Sequence, residues 1–266
     1  MIQALLFRSI RQHAVLLAVL CFFLFLLEFF LIWVAAQMDL GPEFRQLLET
    51  ILPSEIAEMA FGQFGFSSFE GAVAFGYQHP LSLVACIAMI VVAVTLPTSE
   101  REKGLLDLFL ARPVPRTRYL LATLHFFLLS ALLLPMALLA GTTVGLWVVE
   151  TPSEVGWLEY IPSALALAVL LLSLGSLTLL LATNARRRGV AVAQGVGLTL
   201  LFYWLDFMGE YWEVLKTARK ASPFFYFDPG RAAMGSGFPS TDLLILGAIT
   251  VLASSMAFLN FQRQDL

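Results

Sequence analysis

Charge is scarce in this chain. Asp, Glu, Lys and Arg make up 13% of the 266 residues, against 59% hydrophobic, whereas soluble domains carry about a quarter charged residues. So few charges cannot cover a water-exposed globule of this size, and the apolar surplus lies in long runs, which points to lipid as the main solvent. The net charge of −3 offers no basic excess, so nucleic acid is not expected as a partner. Cysteine is nearly absent. Cys21 and Cys86 fall in different apolar runs at different depths, which excludes a disulfide framework, and neither sits in a metal or redox motif; both read as small hydrophobes. The three histidines, His13, His79 and His125, are too scattered in depth to share an ion. His125, about two turns into an apolar run, reads as a satisfied core histidine. There is no Ser/His/Asp set, no paired catalytic carboxylates and no metal cluster, so the chain is not expected to be an enzyme. Linkers, low-complexity tracts and internal repeats are lacking too, and 1–266 reads as one domain.

What is abundant is uninterrupted hydrophobicity. A helical span needs about 20 mostly apolar residues, and six segments qualify: 14–36, 80–97, 119–146, 160–183, 190–208 and 242–261. The expected fold class is an all-α polytopic membrane protein. Val34-Ala35-Ala36 has the look of a signal-peptidase site, but the run from 14 to 36 is longer than the roughly 7–15 residues of a signal core, so it reads as an uncleaved first span. The second span is short on its inner side. Pro135 should kink the third unless neighbours satisfy the carbonyl it frees.

Lys and Arg orient the spans. With the N-terminus inside, Arg8, Arg11, Arg101, Lys103, Arg112, Arg116, Arg118, Arg186, Arg187, Arg188 and Arg263 lie on the inner side, 11 of 16. The positive-inside rule therefore predicts both termini in the cytoplasm. Four stretches remain outside the spans. In Met1–His13, Ile2, Leu5, Leu6 and Ile10 share a helical face, as in a helix lying in the interface; the alternative is a plain extension of the first span. The outer segment 37–79 reads as two short helices broken at Pro53-Ser54, with an irregular Gly- and Phe-rich loop over 61–69. The outer loop 209–241 is aromatic enough for a re-entrant or interfacial element.

The inner loop, 98–118, is the most informative. Ser99 and Glu102 have capping-box spacing, which predicts a helix starting there, and Pro113 should end it. Leu105, Leu106 and Phe109 form an apolar stripe; Glu100, Arg101, Glu102, Lys103, Asp107 and Arg112 surround it, with Gly104 between. Such a helix is either a docking contact or a simple interfacial connector. The run Glu100-Arg101-Glu102-Lys103-Gly104-Leu105-Leu106-Asp107-Leu108-Phe109-Leu110-Ala111-Arg112-Pro113-Val114-Pro115-Arg116 resembles the inner loop of type-2 permeases of ATP-binding-cassette (ABC) transporters. Ser222-Pro223-Phe224 and the ending Phe261-Gln262-Arg263-Gln264-Asp265-Leu266 support the likeness, and the six-span layout extends it over the whole chain. Leu105 stands where the family often has a small polar residue.

This resemblance implies a permease in the cell (cytoplasmic) membrane. It implies a second permease chain, identical or homologous, and two copies of a cytoplasmic ABC ATPase, with residues 99–112 forming the coupling helix that contacts the ATPase. It further implies export of an amphiphilic substrate such as a lipid, glycolipid, peptide or drug. No cofactor is expected in this chain, because ATP and Mg would sit on the partner. In keeping with that, the nearest approach to a P-loop, Gly230 to Gly235, has Ser236 where the motif needs Lys. The rival readings are a secondary transporter without an ATPase, which should show broken helices or a repeat between halves, and a membrane assembly or scaffold protein.

Inside the first span, Glu28 is the one charged residue at mid-depth. An ionisable group there costs about 3 kcal/mol on insertion scales, so it must face protein or a cavity. It belongs either to the substrate path or to a structural hydrogen bond with a neighbouring helix. Asp206, near the outer end of the fifth span, is expected to reach headgroups or water. Gly141 and Gly145, with Ser173, Gly175 and Ser176, mark close helix packing, within or between chains.

Overall fold

The computed structural model describes residues 2–37, 46, 50–51, 68–104, 116–149, 156–233 and 239–263. Among these residues there is no strand. The α-helices are α1 (Ile2–Gln37), α2 (Phe69–Gln78), α3 (Pro80–Val94), α4 (Leu96–Glu102), α5 (Arg116–Val148), α6 (Ile161–Asn184), α7 (Arg188–Tyr211), α8 (Pro229–Ala233) and α9 (Ser240–Arg263). Short 3-10 turns cover Trp157–Tyr160, Glu213–Leu215, Ala218–Ala221 and Pro223–Tyr226. Six helical stretches are long and apolar enough to cross a membrane: Leu6–Gln37, Phe69–Val94, Arg118–Val148, Trp157–Asn184, Arg188–Tyr211 and Ser240–Arg263. The six-span expectation therefore stands.

Two boundaries differ from the sequence-based expectation. The first is the N-terminus, where no separate interfacial helix forms. One unbroken helix of 36 residues, about 54 Å long at 1.5 Å per residue, carries Ile2 to Gln37, because no proline or glycine interrupts it. The second is the start of the second span. It begins at Phe69, not Pro80, and Ser68 caps it by accepting a hydrogen bond from the Gly71 amide at 3.1 Å. The stretch 69–79, expected in the outer segment, is thus the first half of that span. Gln46, Thr50 and Ile51 are helical, with the Thr50 hydroxyl donating to the Gln46 carbonyl at 2.7 Å; the rest of the expected outer helices, 38–45, 47–49 and 52–67, lies outside the described residues.

Span two is jointed. Pro80 opens α3, so His79 before it is driven out of the helical region (φ −56°, ψ 134°), and its Nδ1 accepts from the Leu81 amide at 3.2 Å. A second joint falls at Thr95, whose hydroxyl donates to the Val91 carbonyl at 2.8 Å. Pro97 then lies in the first turn of α4, the position a helix tolerates best. At Pro135, by contrast, α5 continues without a break in the helix.

α6 is the axis of the bundle: 67% of its apolar window is buried, against 17% for α7 and for α9. Lipid tails are as apolar as leucine, so spans associate through close packing and not through expulsion of water. Small residues provide it. Gly175 of α6 faces Phe127 and Ile90, and Gly195 of α7 faces Thr178. The α1–α5 pair is parallel and in register over several turns. The Cys21 Sγ lies 3.9 Å from the Leu133 carbonyl, Glu28 lies against Gly141, and Ile32 against Gly145. The Gly-x-x-x-Gly of the third span is therefore used within the chain. His125 is satisfied, with Nδ1 2.6 Å from the Leu121 carbonyl, but it faces outward on the perimeter and is not a core residue.

The two ends of the bundle differ chemically. Arg8, Arg118, Arg188 and Arg263 mark one end, where Tyr119 stacks on Phe261 with ring centroids 6.3 Å apart. All five tryptophans, Trp33, Trp147, Trp157, Trp204 and Trp212, lie toward the other.

Candidate functional site

The basic end is knotted around α4. Three side chains of this short helix reach four other spans. The Thr98 hydroxyl donates to the Ala182 carbonyl at the end of α6, 2.8 Å away. The Glu100 carboxylate holds both the Arg8 guanidinium of α1, 3.1 Å away, and the Tyr119 hydroxyl of α5. Glu102 Oε2 accepts from the Arg188 amide, 2.9 Å away, at the first residue of α7. A carboxylate at a helix N-terminus satisfies an orphan amide and complements the helix dipole. The Glu100 side chain is only 14% exposed, so its ion pair is shielded more than an ordinary surface pair.

The expected capping box does not operate here. Ser99 sits inside α4, buried, and its carbonyl accepts from the Lys103 amide at 3.3 Å. The helix is ending at this point: Gly104 follows with φ +67°, the left-handed conformation that favours glycine after a helix. Pro97 starts the helix early and Gly104 stops it, so Ser99 never becomes a cap. Glu102 does cap a helix, but a distant one. Of the ten residues expected to contact an ATPase, Glu100 and Arg101 are half-buried, while Glu102, Lys103 and Gly104 are exposed; Leu105, Leu106, Asp107, Phe109 and Arg112 lie outside the described residues.

Glu28 occupies a closed polar centre between α1, α2 and α5. It is 0% exposed. Its Oε1 accepts from the Thr142 hydroxyl at 3.1 Å, and the Tyr77 hydroxyl lies 2.9 Å from the same Thr142 oxygen. With Thr142 donating to Glu28, Tyr77 supplies the proton of the second bond. Two glycines make the room. A Cβ at Gly76 would collide with Glu28 Oε2, and one at Gly141 would lie 2.9 Å from Glu28 Cβ and 2.6 Å from the Phe25 carbonyl. Oε2 has no hydrogen-bond partner among the described residues. The Glu28–Thr142 bond joins α1 to α5 at a position closed to solvent.

At the tryptophan end, Asp206 is not left to headgroups. The Arg219 Nε donates to its Oδ1 at 2.6 Å, and a second guanidinium nitrogen reaches Glu210 at 3.3 Å. Arg219 also stands over the Phe225 ring, 5.3 Å from its centroid. Ser222 of the Ser-Pro-Phe motif donates to the Phe202 carbonyl at 2.8 Å and accepts from the Phe224 amide at 3.1 Å, folding the 3-10 turns back onto α7. Sequence reading missed Arg8, Tyr77, Tyr119, Thr142 and Arg219. The partners of the carboxylates are mostly distant in the chain, and nothing in the spacing pairs them.

The structure is thus a bundle of six apolar helices with a short charged helix fastened to four of its spans. The family described as ABC-2 family transporter protein matches residues 6–266, and the chain belongs to it: this is the membrane permease subunit of an ABC transporter. No curated protein and no solved structure matches the chain.

Proposed function

We propose that the chain is the membrane half of an ATP-driven exporter of an amphiphilic substrate. Two permease chains and two ATPase subunits make up the working transporter, the basic end faces the cytoplasm, and the ATPase docks on the 99–112 loop through its apolar stripe, Leu105, Leu106 and Phe109. The observation that carries this reading is the knot at α4: a loop tied to α1, α5, α6 and α7 at once can deliver a push from outside to most of the bundle. The Lys and Arg bias supports the orientation. ATP and Mg belong to the ATPase.

Two experiments test it. Cysteine at Arg187 should be labelled only from the cytoplasmic side of intact cells, and cysteine at Lys216 only from outside. Labelling at 187 by a membrane-impermeant reagent in intact cells reverses the orientation. For docking, Leu106→Asp with Phe109→Asp should leave the permease inserted while recovery of the ATPase in co-purification falls at least tenfold. Buried apolar anchors at interface centres are worth about 2 kcal/mol or more each. Full recovery, with ATP turnover still responding to the permease, reduces the loop to a connector.

A further inference from the structure

We infer that Glu100 and Glu102 are positioning residues that carry motion from the inner loop into the spans, and not contacts to the ATPase. The inference rests on the docking role proposed for the loop and assigns two of its residues to the opposite side of the contact. Both Glu100 oxygens are engaged inside the chain, Oε1 by Arg8 and Oε2 by Tyr119, and the side chain turns away from solvent into the bundle, only 14% exposed. Glu102 gives Oε2 to the Arg188 amide across 86 residues of sequence. That bond is the only side-chain cap at the start of α7 among the described residues, because Arg187 in the N-cap position offers no side-chain oxygen and makes no side-chain cap bond.

The geometry joins a loop to a lightly packed span. α7 is among the least buried of the spans within the chain, and its first turn is held from outside by Glu102. α1 receives the same treatment through Arg8. When α4 shifts, the ends of α1, α5 and α7 must follow it or lose these bonds. Partner contact then falls to the part of the loop from the exposed Lys103 onward.

The test uses the permease–ATPase complex in nanodiscs and hydrogen exchange of the peptide opening α7, with and without Mg, ATP and orthovanadate. Wild type should show at least a threefold difference in exchange between the two states. Glu102→Ala should raise basal exchange of the Arg188 amide roughly fivefold, the worth of a typical cap, and abolish the nucleotide-dependent difference. It should keep wild-type ATPase recovery and hydrolysis. Glu102→Gln retains an acceptor oxygen and should restore the difference. Loss of the ATPase from both variants makes Glu102 a partner contact and overturns the inference. So does a nucleotide response in Glu102→Ala equal to wild type. A wild-type chain that binds no ATPase removes the docking reading itself, which is a separate failure visible before any variant is made.

Discussion

Gly141→Val should disrupt the α1–α5 pair, while the same change at Gly247 should leave the protein intact. A Cβ at Gly141 would lie 2.6 Å from the Phe25 carbonyl and 2.9 Å from Glu28 Cβ. The first obstacle is backbone and cannot swing aside, so α1 must move away. Separation breaks the register that also seats Ile32 on Gly145. It pulls Glu28 from Thr142 as well. Overpacking costs about 1–3 kcal/mol in well-packed cores; losing the polar bond adds to it, and the sum is expected at about 3 kcal/mol or more. Among the described residues nothing lies within 4 Å of a Cβ at Gly247, so Gly247→Val is expected to be tolerated. Thermal unfolding of both variants in detergent reads the contrast. Equal midpoints for the two would mean that α1 and α5 are not packed at this point.

Glu28→Lys should be the most damaging single change in the transmembrane region, and Glu28→Gln among the mildest at that site. The side chain is fully buried, and among the described residues its hydrogen-bond partner is the Thr142 hydroxyl, which in turn pairs with the Tyr77 hydroxyl. An ammonium would have no counter-charge in this centre, and an uncompensated buried charge costs about 3–5 kcal/mol. Lysine also carries its longer stem toward Gly76, where no room exists. Glutamine keeps the shape and an oxygen that accepts from Thr142, so its change in stability should stay within about 1 kcal/mol. Membrane insertion and thermal midpoint of the two variants decide the matter. If both variants fold normally and both stop transport, the carboxylate itself takes part in transport and the structural reading of Glu28 fails.

The spans were legible because hydropathy is a local property: twenty apolar residues in a row announce a span whatever they pack against. The ends of spans were less legible. The 69–79 stretch carries Glu70, Gln78 and His79, polar enough to resemble an outer loop, yet Ser68 caps it into a helix that packs against α1. Met1–His13 has an amphipathic stripe, but no residue breaks the helix, so the stripe became the foot of the first span. Ser99 and Glu102 show how a spacing rule can hold in sequence and fail in space. Pro97 and Gly104 set the helix limits, and Glu102 found its amide 86 residues away. Gly141 and Gly145 announced close packing but not with what, and their partners, Glu28 and Ile32, are more than a hundred residues away. The family was legible from the inner-loop residues themselves, which is the one place where the sequence pattern exceeded its own physics.

The uneven placement of tryptophan has an optical consequence. With every indole toward one end of the bundle, the intrinsic ultraviolet emission of this chain is a one-sided reporter. It samples the neighbourhood of the Arg219 turns and is dark to the knot around α4. A change in emission on adding nucleotide to the complex, once the partner's own tryptophans are subtracted, would mean that a disturbance begun at the arginine end had crossed the full thickness of the membrane.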